Sequence, residues 1–467
     1  MHKSIRFVLI ILFALPLFQS TEARISLPAI LGDHMVLQQN KAVKIWGWTS
    51  RSNEEIRVWG TWGADTVTTS AEQGAWSLEI STPDAGGAYS LFIEGHELIE
   101  LKDVLIGEVW LASGQSNMEM PMDSIHSGFP GIENFRQELS LASYPELRLF
   151  LVQKRTADAP QLDLQGQWVV CTPDNVRDFS AVAYVFGEAL HKQLNVPVGM
   201  IASSWGGTNA EVWIPKDSVL ADAALASPFD GLIEGNRWPS LPGRAYNSMI
   251  YPLRHFTIKG VIWYQGESNR LRPETYPLVI HKLIDAWRVH WGDTMPFYFT
   301  EIAPFKYWNE RHLVPHLREA QALCMQIEGT GMVVTNDLGD LNHIHPRRKR
   351  AVGERLSAWA LAKTYDMSVP FSGPVYSGFE VRGSRVYVSF DHGEGLKSTG
   401  DDLREFEIKG IDGKWTPAKA VIKNGRVEVW SKGVREPVAV RFAWSDIAEP
   451  NLTNADGLPA ACFRTDR

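Results

Sequence analysis

Four short stretches of the chain hold the side chains that could carry out nucleophilic chemistry. Each contains glycine and follows an apolar run that predicts a strand. They are SGQSNMEM (113–120), SSWGGTNAEVW (203–213), YQGESN (264–269) and NDLGDLNHIHP (336–346). In a parallel sheet such turns meet at the carboxyl edge of the strands, where functional groups collect. The pattern therefore predicts one site that draws on all four stretches.

A serine and a histidine from two of these stretches could act as nucleophile and base. Ser116 lies at the exit of the turn after the strand VLIGEVWLA, and a hydroxyl becomes a useful nucleophile when a base is within hydrogen-bond reach. His345 is the candidate base, and Pro346 after it is predicted to begin a helix whose N-terminus would favour the neutral imidazole. The alternative is that Ser116 only caps a turn.

The histidine has a competitor and an open choice of acidic partner. His343 could be the base, or could pair with His345 as a metal ligand, but only Asp340 accompanies the pair, so we predict no metal. A carboxylate should orient the imidazole, and Glu267 and Asp340 are the two candidates. The residue three before His345 is Asn342, whose amide cannot balance the charge of an imidazolium.

The same stretches could supply the donors and walls of a pocket. The backbone N–H of Ser116, the amide at Gly207 and the side chain of Gln265 are candidate donors to an oxyanion. A further set of residues flanks the motifs and could shape an acyl or sugar pocket: Asn117, Trp205, Trp213 and Trp263. The basic run RRKR (347–350) could meet a sugar carboxylate, but a solvated helix face is the favoured interpretation.

The rest of the chain sets the frame in which these residues lie. Short alternating segments predict an N-terminal β-sandwich-like domain over 24–102, strands alternating with helices predict an α/β domain over 103–365, and alternation returns in a β domain over 366–467. Residues 1–23 resemble a signal peptide, which predicts an exported protein, periplasmic or secreted, with no membrane contact in its mature form. The net charge of −8 argues against a nucleic-acid partner.

The motifs together resemble the sialate O-acetylesterase family of SGNH-type serine hydrolases. The resemblance rests on GQSNMEM, PVGMIASSWGGTNAEVW, GVIWYQGESN and NHIHPRRK, and extends to LPAILGDHMVLQQ near the start and NADGLPAACFRTD near the end. It implies a flavodoxin-like three-layer α/β core with flanking β domains, removal of O-acetyl groups from carbohydrates, and no cofactor. It also implies the roles above for Ser116, His345, Gly207 and Gln265. Similar acetylxylan esterases use the glutamate of the QGE motif, which favours Glu267 over Asp340.

Two other functions remain as alternatives at this point. A binding-only carbohydrate module would suit two β domains and 18 tryptophans. A glycoside hydrolase would need paired carboxylates, for which Glu267 and Glu301 at predicted strand ends are the candidates. Acetylxylan or another plant polysaccharide is the alternative substrate of an esterase.

Overall fold

The computed structural model describes residues 24–63, 65–124, 128–307 and 313–466. The predicted signal peptide over 1–23 lies outside these residues and stays a prediction. Among the helices that the structure describes, none has the length and apolar character needed to cross a bilayer.

The N-terminal part is made of short strands, as its alternating sequence predicts. In Ala75–Ser81 the side chains of Trp76, Leu78 and Ile80 are buried and those between them are exposed, which is the period of a sheet with one buried face. The strands are β1 Ile25–Ser26, β2 Val36–Gln38, β3 Ala42–Thr49, β4 Glu55–Gly60, β5 Val67–Ser70, β6 Ala75–Ser81 and β7 Gly86–Glu94. Strands β1, β3 and β6 form one sheet.

One long strand, β8 Leu98–Gly114, belongs to two parts of the molecule. Its first half pairs antiparallel with β7 and its second half runs parallel to two strands of the central sheet. The predicted domain boundary between residues 102 and 103 therefore falls inside a continuous strand.

The central sheet has the parallel character that alternating strands and helices predict. Its order is β10-β9-β11-β8-β12-β13-β14, and every pairing is parallel except that of β10 with β9. The added strands are β9 Tyr144–Leu151, β10 Trp168–Cys171, β11 Val198–Ser204, β12 Gly260–Tyr264, β13 Phe297–Thr300 and β14 Thr330–Val333. The chain extends from β8 to one side through β11 and to the other through β12, so the carboxyl end of β8 is a topological switch point.

Helices cover both faces of this sheet, which confirms the predicted α/β class. They are α1 Ser116–Glu119, α2 Phe135–Leu141, α3 Pro173–Val176, α4 Ala181–Leu194, α5 Lys216–Leu220, α6 Ala223–Ala226, α7 Tyr276–Trp291, α8 Val314–Leu323 and α9 Lys349–Lys363. Helices α4 and α9 share one apolar core with Ala112 and Ile262, whereas α7 and α8 share another with Leu111 and Val261. The neighbouring strand residues point to opposite faces, as the period of two requires.

Shorter helical turns connect these elements. The 3-10 turns are Ala210–Trp213, Ser227–Phe229, Tyr251–Leu253, Glu267–Asn269, Pro273–Thr275 and Cys324–Gln326, and Tyr246–Ile250 forms one π-helical turn. Helix α4 has capping residues that its sequence already contains. The Ser180 hydroxyl accepts the backbone N–H of Ala183 at 3.2 Å, and Asn195 ends the helix in the left-handed region.

The C-terminal part is again a β structure, in which all pairings are antiparallel. Its strands are β15 Val375–Arg382, β16 Arg385–Asp391, β17 Lys397–Ser398, β18 Phe406–Gly410, β19 Trp415–Pro417, β20 Lys419–Lys423, β21 Arg426–Trp430, β22 Pro437–Phe442, β23 Leu452–Thr453 and β24 Phe463–Arg464. It contacts the central part through buried polar groups. Asn336 donates to the carbonyl of Ala460 at 2.7 Å, and Arg464 pairs with Glu319 at 2.9 Å.

Candidate active site

The turn after β8 brings the first stretch onto the edge of the sheet. Gly114 has a φ of +138°, and a Cβ added there would lie 2.2 Å from the carbonyl oxygen of Tyr264 at the end of β12. Gln115 donates its backbone N–H to that same oxygen at 3.0 Å. Only glycine fits this close approach, which places Ser116 directly above the junction of two strands.

Ser116 is the first residue of helix α1 and is partly exposed, whereas Asn117 after it is fully buried. The second stretch lies against it, because a Cβ added to Gly206 would be 3.2 Å from the Cβ of Ser116. The Glu119 carboxylate holds this contact by accepting the backbone N–H of Gly206 at 2.5 Å. The turns after β8 and β11 therefore meet around the serine.

The side chain of Asn117 joins three of the four stretches. Its Nδ2 donates to Oε1 of Glu267 at 2.5 Å and to the carbonyl oxygen of Ile344 at 3.2 Å. Asn117 directly follows Ser116, and Ile344 directly precedes His345. The structure thus brings the segments of the predicted nucleophile and the predicted base together at one buried amide.

His345 is partly buried and neutral at neutral pH. Its ring contacts the edge of Phe129, with 4.9 Å between centroids, and its backbone N–H donates to Nδ1 of His343 at 3.1 Å. Burial, together with the charges of Lys349 and His343, lowers the pKa of His345 to about 4. A neutral imidazole is the form that can accept a proton.

The helix after His345 begins later than expected. Helix α9 starts at Lys349, so the prediction that Pro346 is its first residue is wrong by three positions. Arg347 instead directs its guanidinium to the carbonyl oxygens of Gly131 and Ile132, at 3.1 Å each. Burial with nearby charge, rather than a helix N-terminus, therefore keeps the imidazole neutral.

The direct catalytic contacts stay predictions. Within the part of the chain that the structure describes, no hydrogen bond joins the Ser116 hydroxyl to the His345 ring, and no carboxylate bonds to that ring. The Asp340 carboxylate accepts the backbone N–H of Asn342 at 2.9 Å and so caps its own loop. The Glu267 carboxylate is buried against Asn117, and burial raises its pKa while the hydrogen bond from Asn117 and the charge of Lys349 act in the opposite direction.

Of the three predicted oxyanion donors, the backbone N–H groups of Ser116 and Gly207 have no protein acceptor among the described residues, whereas the side chain of Gln265 is already hydrogen-bonded. Across the described residues, neither Ser116 nor Gly207 donates its backbone N–H to a protein acceptor. Gln265 is fully buried, and its Nε2 already donates to Thr208 O at 3.3 Å and to Asn269 Oδ1 at 2.7 Å. Both of its amide hydrogens are used, so the prediction that Gln265 binds the oxyanion is corrected.

Three of the residues predicted to line the pocket lie in the interior. Trp213 and Trp263 are at most 1% exposed and pack edge to face against each other, with 6.3 Å between centroids. Asn117 is also fully buried, as described above. These three residues have no surface to offer a substrate, and only Trp205 is partly exposed. Tryptophans beside strand-end motifs here fill the core, as large aromatic side chains usually do.

A second exposed tryptophan lies over the site and was not identified from the sequence. Gly207 has a φ of +81°, and a Cβ added to it would be 2.5 Å from the ring of Trp238. Trp238 is 40% exposed, and the guanidinium of Arg237 lies 5.4 Å from its ring centroid. Lys154 lies 5.9 Å from the ring of Trp205. Because 229–240 contains no regular pattern, nothing in the sequence pointed to this aromatic rim.

The basic run RRKR is only in part the solvated face that was expected, because Arg347 and Arg348 are exposed but the two residues after them are not. Lys349 is 0% exposed, and its Nζ donates to Oδ1 of Asn117 at 2.6 Å. Arg350 is bound by Glu138 and Glu188. The second half of the run therefore contacts the interior of the molecule through Lys349 and Arg350. Within the described residues, no cluster of three or more His, Cys, Asp or Glu side chains could hold a metal ion.

Comparison with solved structures shows which class of protein has this architecture. The structure resembles a carbohydrate acetylesterase from Xanthomonas citri, with a TM-score of 0.86 and 35% sequence identity over 95% of this chain and 100% of that one. The architecture is therefore that of a carbohydrate esterase. The family described as "Carbohydrate esterase, sialic acid-specific acetylesterase" matches residues 106–362, and the chain belongs to this family.

Curated relatives agree with this assignment. The chain is 29% identical to human sialate O-acetylesterase over 89% of its own length and 86% of that protein. It is 28% identical to the mouse sialate O-acetylesterase over 89% of its length and 88% of that protein. The predicted family and the predicted carbohydrate O-acetylesterase function are confirmed by these similarities.

Proposed function

We propose that this protein removes O-acetyl groups from sugars of the sialic acid type through a serine-bound acetyl intermediate. The observation that carries the proposal is the hydrogen bond from Asn117 to the carbonyl oxygen of Ile344 at 3.2 Å. It connects the residue after Ser116 to the residue before His345 at the carboxyl edge of a parallel sheet. The proposed nucleophile and the proposed base are thus carried on segments that share one contact, as a serine and its base require.

The mechanism follows from the chemistry of these two residues. His345 takes the proton of the Ser116 hydroxyl while the serine oxygen attacks the acetyl carbonyl carbon. The oxyanion accepts the backbone N–H groups of Ser116 and Gly207. The bond to the sugar oxygen then breaks, and His345 gives its proton to that oxygen. In the second half-reaction His345 takes a proton from water while the water oxygen attacks the acetyl carbon. The bond to the serine oxygen then breaks, His345 returns the proton to that oxygen, and acetate leaves.

Glu267 contributes to this reaction indirectly in our proposal. Its carboxylate bonds to the Asn117 amide at 2.5 Å, so it stabilises the contact between the two catalytic segments instead of touching the imidazole. His345 works without a carboxylate on its ring, and its neutral state is supported by burial and by the charges of Lys349 and His343.

The exposed aromatic rim supports a sugar as the substrate. Trp238 packs on Gly207, where the oxyanion would be bound, and is 40% exposed, so part of its ring is available to a carbohydrate ring. Arg237 is exposed next to this face and has no ion pair within the described residues. Its charge would suit the carboxylate of a sialic acid, which agrees with the names of the human and mouse relatives.

The strand order supports a more specific fold for the catalytic part. Numbered among themselves along the chain, β11, β8, β12, β13 and β14 follow the order 2-1-3-4-5, with β9 and β10 added beyond β11. We infer a flavodoxin-like SGNH core on this basis, since the order is that of flavodoxin-like sheets.

The experiment that tests the mechanism replaces the nucleophile. We expect Ser116→Ala to release acetate from an O-acetylated sialic acid at least about 1,000-fold more slowly than the unchanged protein, with an unchanged circular dichroism spectrum. A fluorophosphonate should label the unchanged protein at Ser116 and leave the variant unlabelled. Retained activity in the folded variant would reject the serine mechanism, and a lack of acetate release by the unchanged protein would favour a binding-only module.

A further inference from the structure

A lysine ammonium group is buried beside the proposed catalytic segments. Lys349 is 0% exposed, and its Nζ donates to Asn117 Oδ1 at 2.6 Å and lies 5.3 Å from the ring centroid of Tyr264. Across the described residues, Asn117 is the only hydrogen-bond acceptor of this group. An ammonium has three N–H donors and normally stays in water, so its position here needs a reason.

The lysine decides which way the Asn117 amide points. An ammonium can only donate, so the amide oxygen has to face Lys349, and Nδ2 must then face Glu267 and the carbonyl of Ile344. The positions of the amide oxygen and the amide nitrogen of Asn117 are therefore fixed by Lys349 on one side and Glu267 on the other. The orientation of one side chain determines whether the hydrogen bond between the catalytic segments exists.

We propose that Lys349 is a positioning residue, whose ammonium group orients the Asn117 amide and through it ties the segment of His345 to the segment of Ser116. This inference rests on the proposed function, because it assigns Lys349 a part in holding that nucleophile and that base in register.

The electrostatics of the cluster fit this role. Lys349 and Glu267 make no direct ion pair within 4 Å among the described residues, and the amide of Asn117 lies between them. Burial lowers the pKa of Lys349 to about 7, and attraction to Glu267 opposes this change. Arg270 also acts on Glu267. A buried lysine and glutamate connected through one amide are costly to place in an interior, and such groups concentrate at functional sites.

The ammonium group also acts on the imidazole, which provides a separate readout. His343 on the same loop and Lys349 on α9 both lower the pKa of His345, and the ring of Phe129 covers its other side. The lysine is protonated throughout the acidic range. It therefore disfavours protonation of His345, and removal of its charge should raise the pKa of His345 from about 4 toward its ordinary value.

The test replaces the charge with a side chain of similar length. We expect Lys349→Met to lower kcat for p-nitrophenyl acetate by about 100-fold, with KM within about twofold, because misplaced catalytic groups cost turnover more than binding. The acidic limb of the kcat/KM profile should move to higher pH by about one unit. Lys363→Met on the same helix is the matched control and should change neither quantity.

A second variant covers the case in which the first does not fold. Lys349→Met combined with Glu267→Gln leaves no lone charge in the interior, so it should fold, and it should share both the loss in kcat and the shifted acidic limb. A folded variant with unchanged kcat and an unmoved limb would overturn the inference. If neither variant folded, Lys349 would serve the fold instead of the site, and the inference would also be overturned.

This outcome can be told apart from a failure of the proposed function. The fluorophosphonate reaction of Ser116 is measured in the unchanged protein and in both variants. If Ser116 is not labelled in the unchanged protein, the serine mechanism fails whatever Lys349 does. If the unchanged protein is labelled and the variants react at the same rate, only the positioning role fails.

Discussion

At the scale of single residues, the site depends on groups whose ordinary preference is for water. Lys349, Asn117 and Glu267 are all buried, and each satisfies part of the hydrogen-bonding capacity of another. Removing one member of such a buried charged pair typically destabilises a protein by about 3–5 kcal/mol, whereas removing both charges costs much less. The cluster therefore holds the side chains of the site in place, although its buried charges lower the free energy of unfolding.

Trp238 provides a prediction at the same scale. We expect Trp238→Ala to lower kcat/KM for an O-acetylated sialic acid by about 10-fold, because the sugar loses a stacking surface of roughly 1 kcal/mol or more. Methyl acetate carries no sugar ring, so its turnover should stay within about twofold. Both rates can be followed by acetate release.

The controls for this variant separate stacking from charge. Trp415→Ala removes a partly exposed tryptophan that lies 4.5 Å below Arg441 in the C-terminal part, and should leave both substrates unaffected. Arg237→Ala should slow the acetylated sialic acid more than an acetylated neutral sugar. Equal losses for sugar and methyl acetate in Trp238→Ala would contradict a role in sugar stacking.

At the scale of elements, the carboxyl ends of β8, β11 and β12 meet in one place because their turns approach each other closely. Trp205 donates its backbone N–H to Gly114 O at 3.1 Å, and Gln115 donates to Tyr264 O at 3.0 Å. These backbone bonds replace the ladder of the sheet where the strands end. Helix α1 begins at this point, so the position of Ser116 depends on the turn and not on its own side-chain contacts.

Gly114 gives the prediction for this scale. Gly114→Ala would put a Cβ 2.2 Å from the carbonyl oxygen of Tyr264 at a φ of +138°, so the turn must shift. We expect the melting temperature to fall and kcat to drop about 100-fold, since displaced catalytic groups lose this much rate. Gly378→Ala, where nothing lies within 4 Å of the added Cβ, is the control and should change neither. Normal turnover in Gly114→Ala would contradict the requirement for glycine at this turn.

At the scale of the whole molecule, the N-terminal and central parts share one strand, and side-chain contacts join the C-terminal part to the central part. Strand β8 runs through two sheets, and the C-terminal part is held by Asn336, by the pairing of Arg464 with Glu319, and by Asp446, which accepts the backbone N–H of Val314 at 3.0 Å. Buried polar contacts of this kind are costly to break one at a time. The parts are therefore expected to unfold together.

Thermal unfolding tests this expectation. Far-ultraviolet circular dichroism and tryptophan fluorescence should give coincident transitions with one midpoint, as required for a cooperative unit. Arg464→Ala should lower that midpoint without splitting the transition. Two separated transitions in the unchanged protein would contradict the prediction.

The sequence predicts the frame of the site better than its interior. Ser116, His345 and Glu267 are found in the predicted turns because apolar strands followed by glycine-containing turns are a local signal. Gln265 was misassigned because its partners, Thr208 and Asn269, are set by the approach of separate turns. Such pairings are tertiary and leave no local pattern.

The misinterpreted tryptophans and lysine have a similar cause. Trp213 and Trp263 lie next to the motifs in the sequence, but their side chains point into the core below the site. Lys349 sits in a run of basic residues that resembles a solvated helix face, and its burial depends on the contact of the start of α9 with Asn117 of a distant segment. The orientation of a side chain at a strand or helix end is decided by the packing of distant elements.

The continuity of β8 restricts how such a chain can be recombined. A chimera that exchanged its N-terminal module at residue 102 would graft a foreign half onto the strand that ends at the catalytic turn. Any mismatch in twist or length would then be transmitted along the remainder of this 17-residue strand to the turn that carries Ser116. Fusion sites for engineered hybrids of this protein belong in turns that join separate strands away from the four motif stretches, such as the turn between β15 and β16.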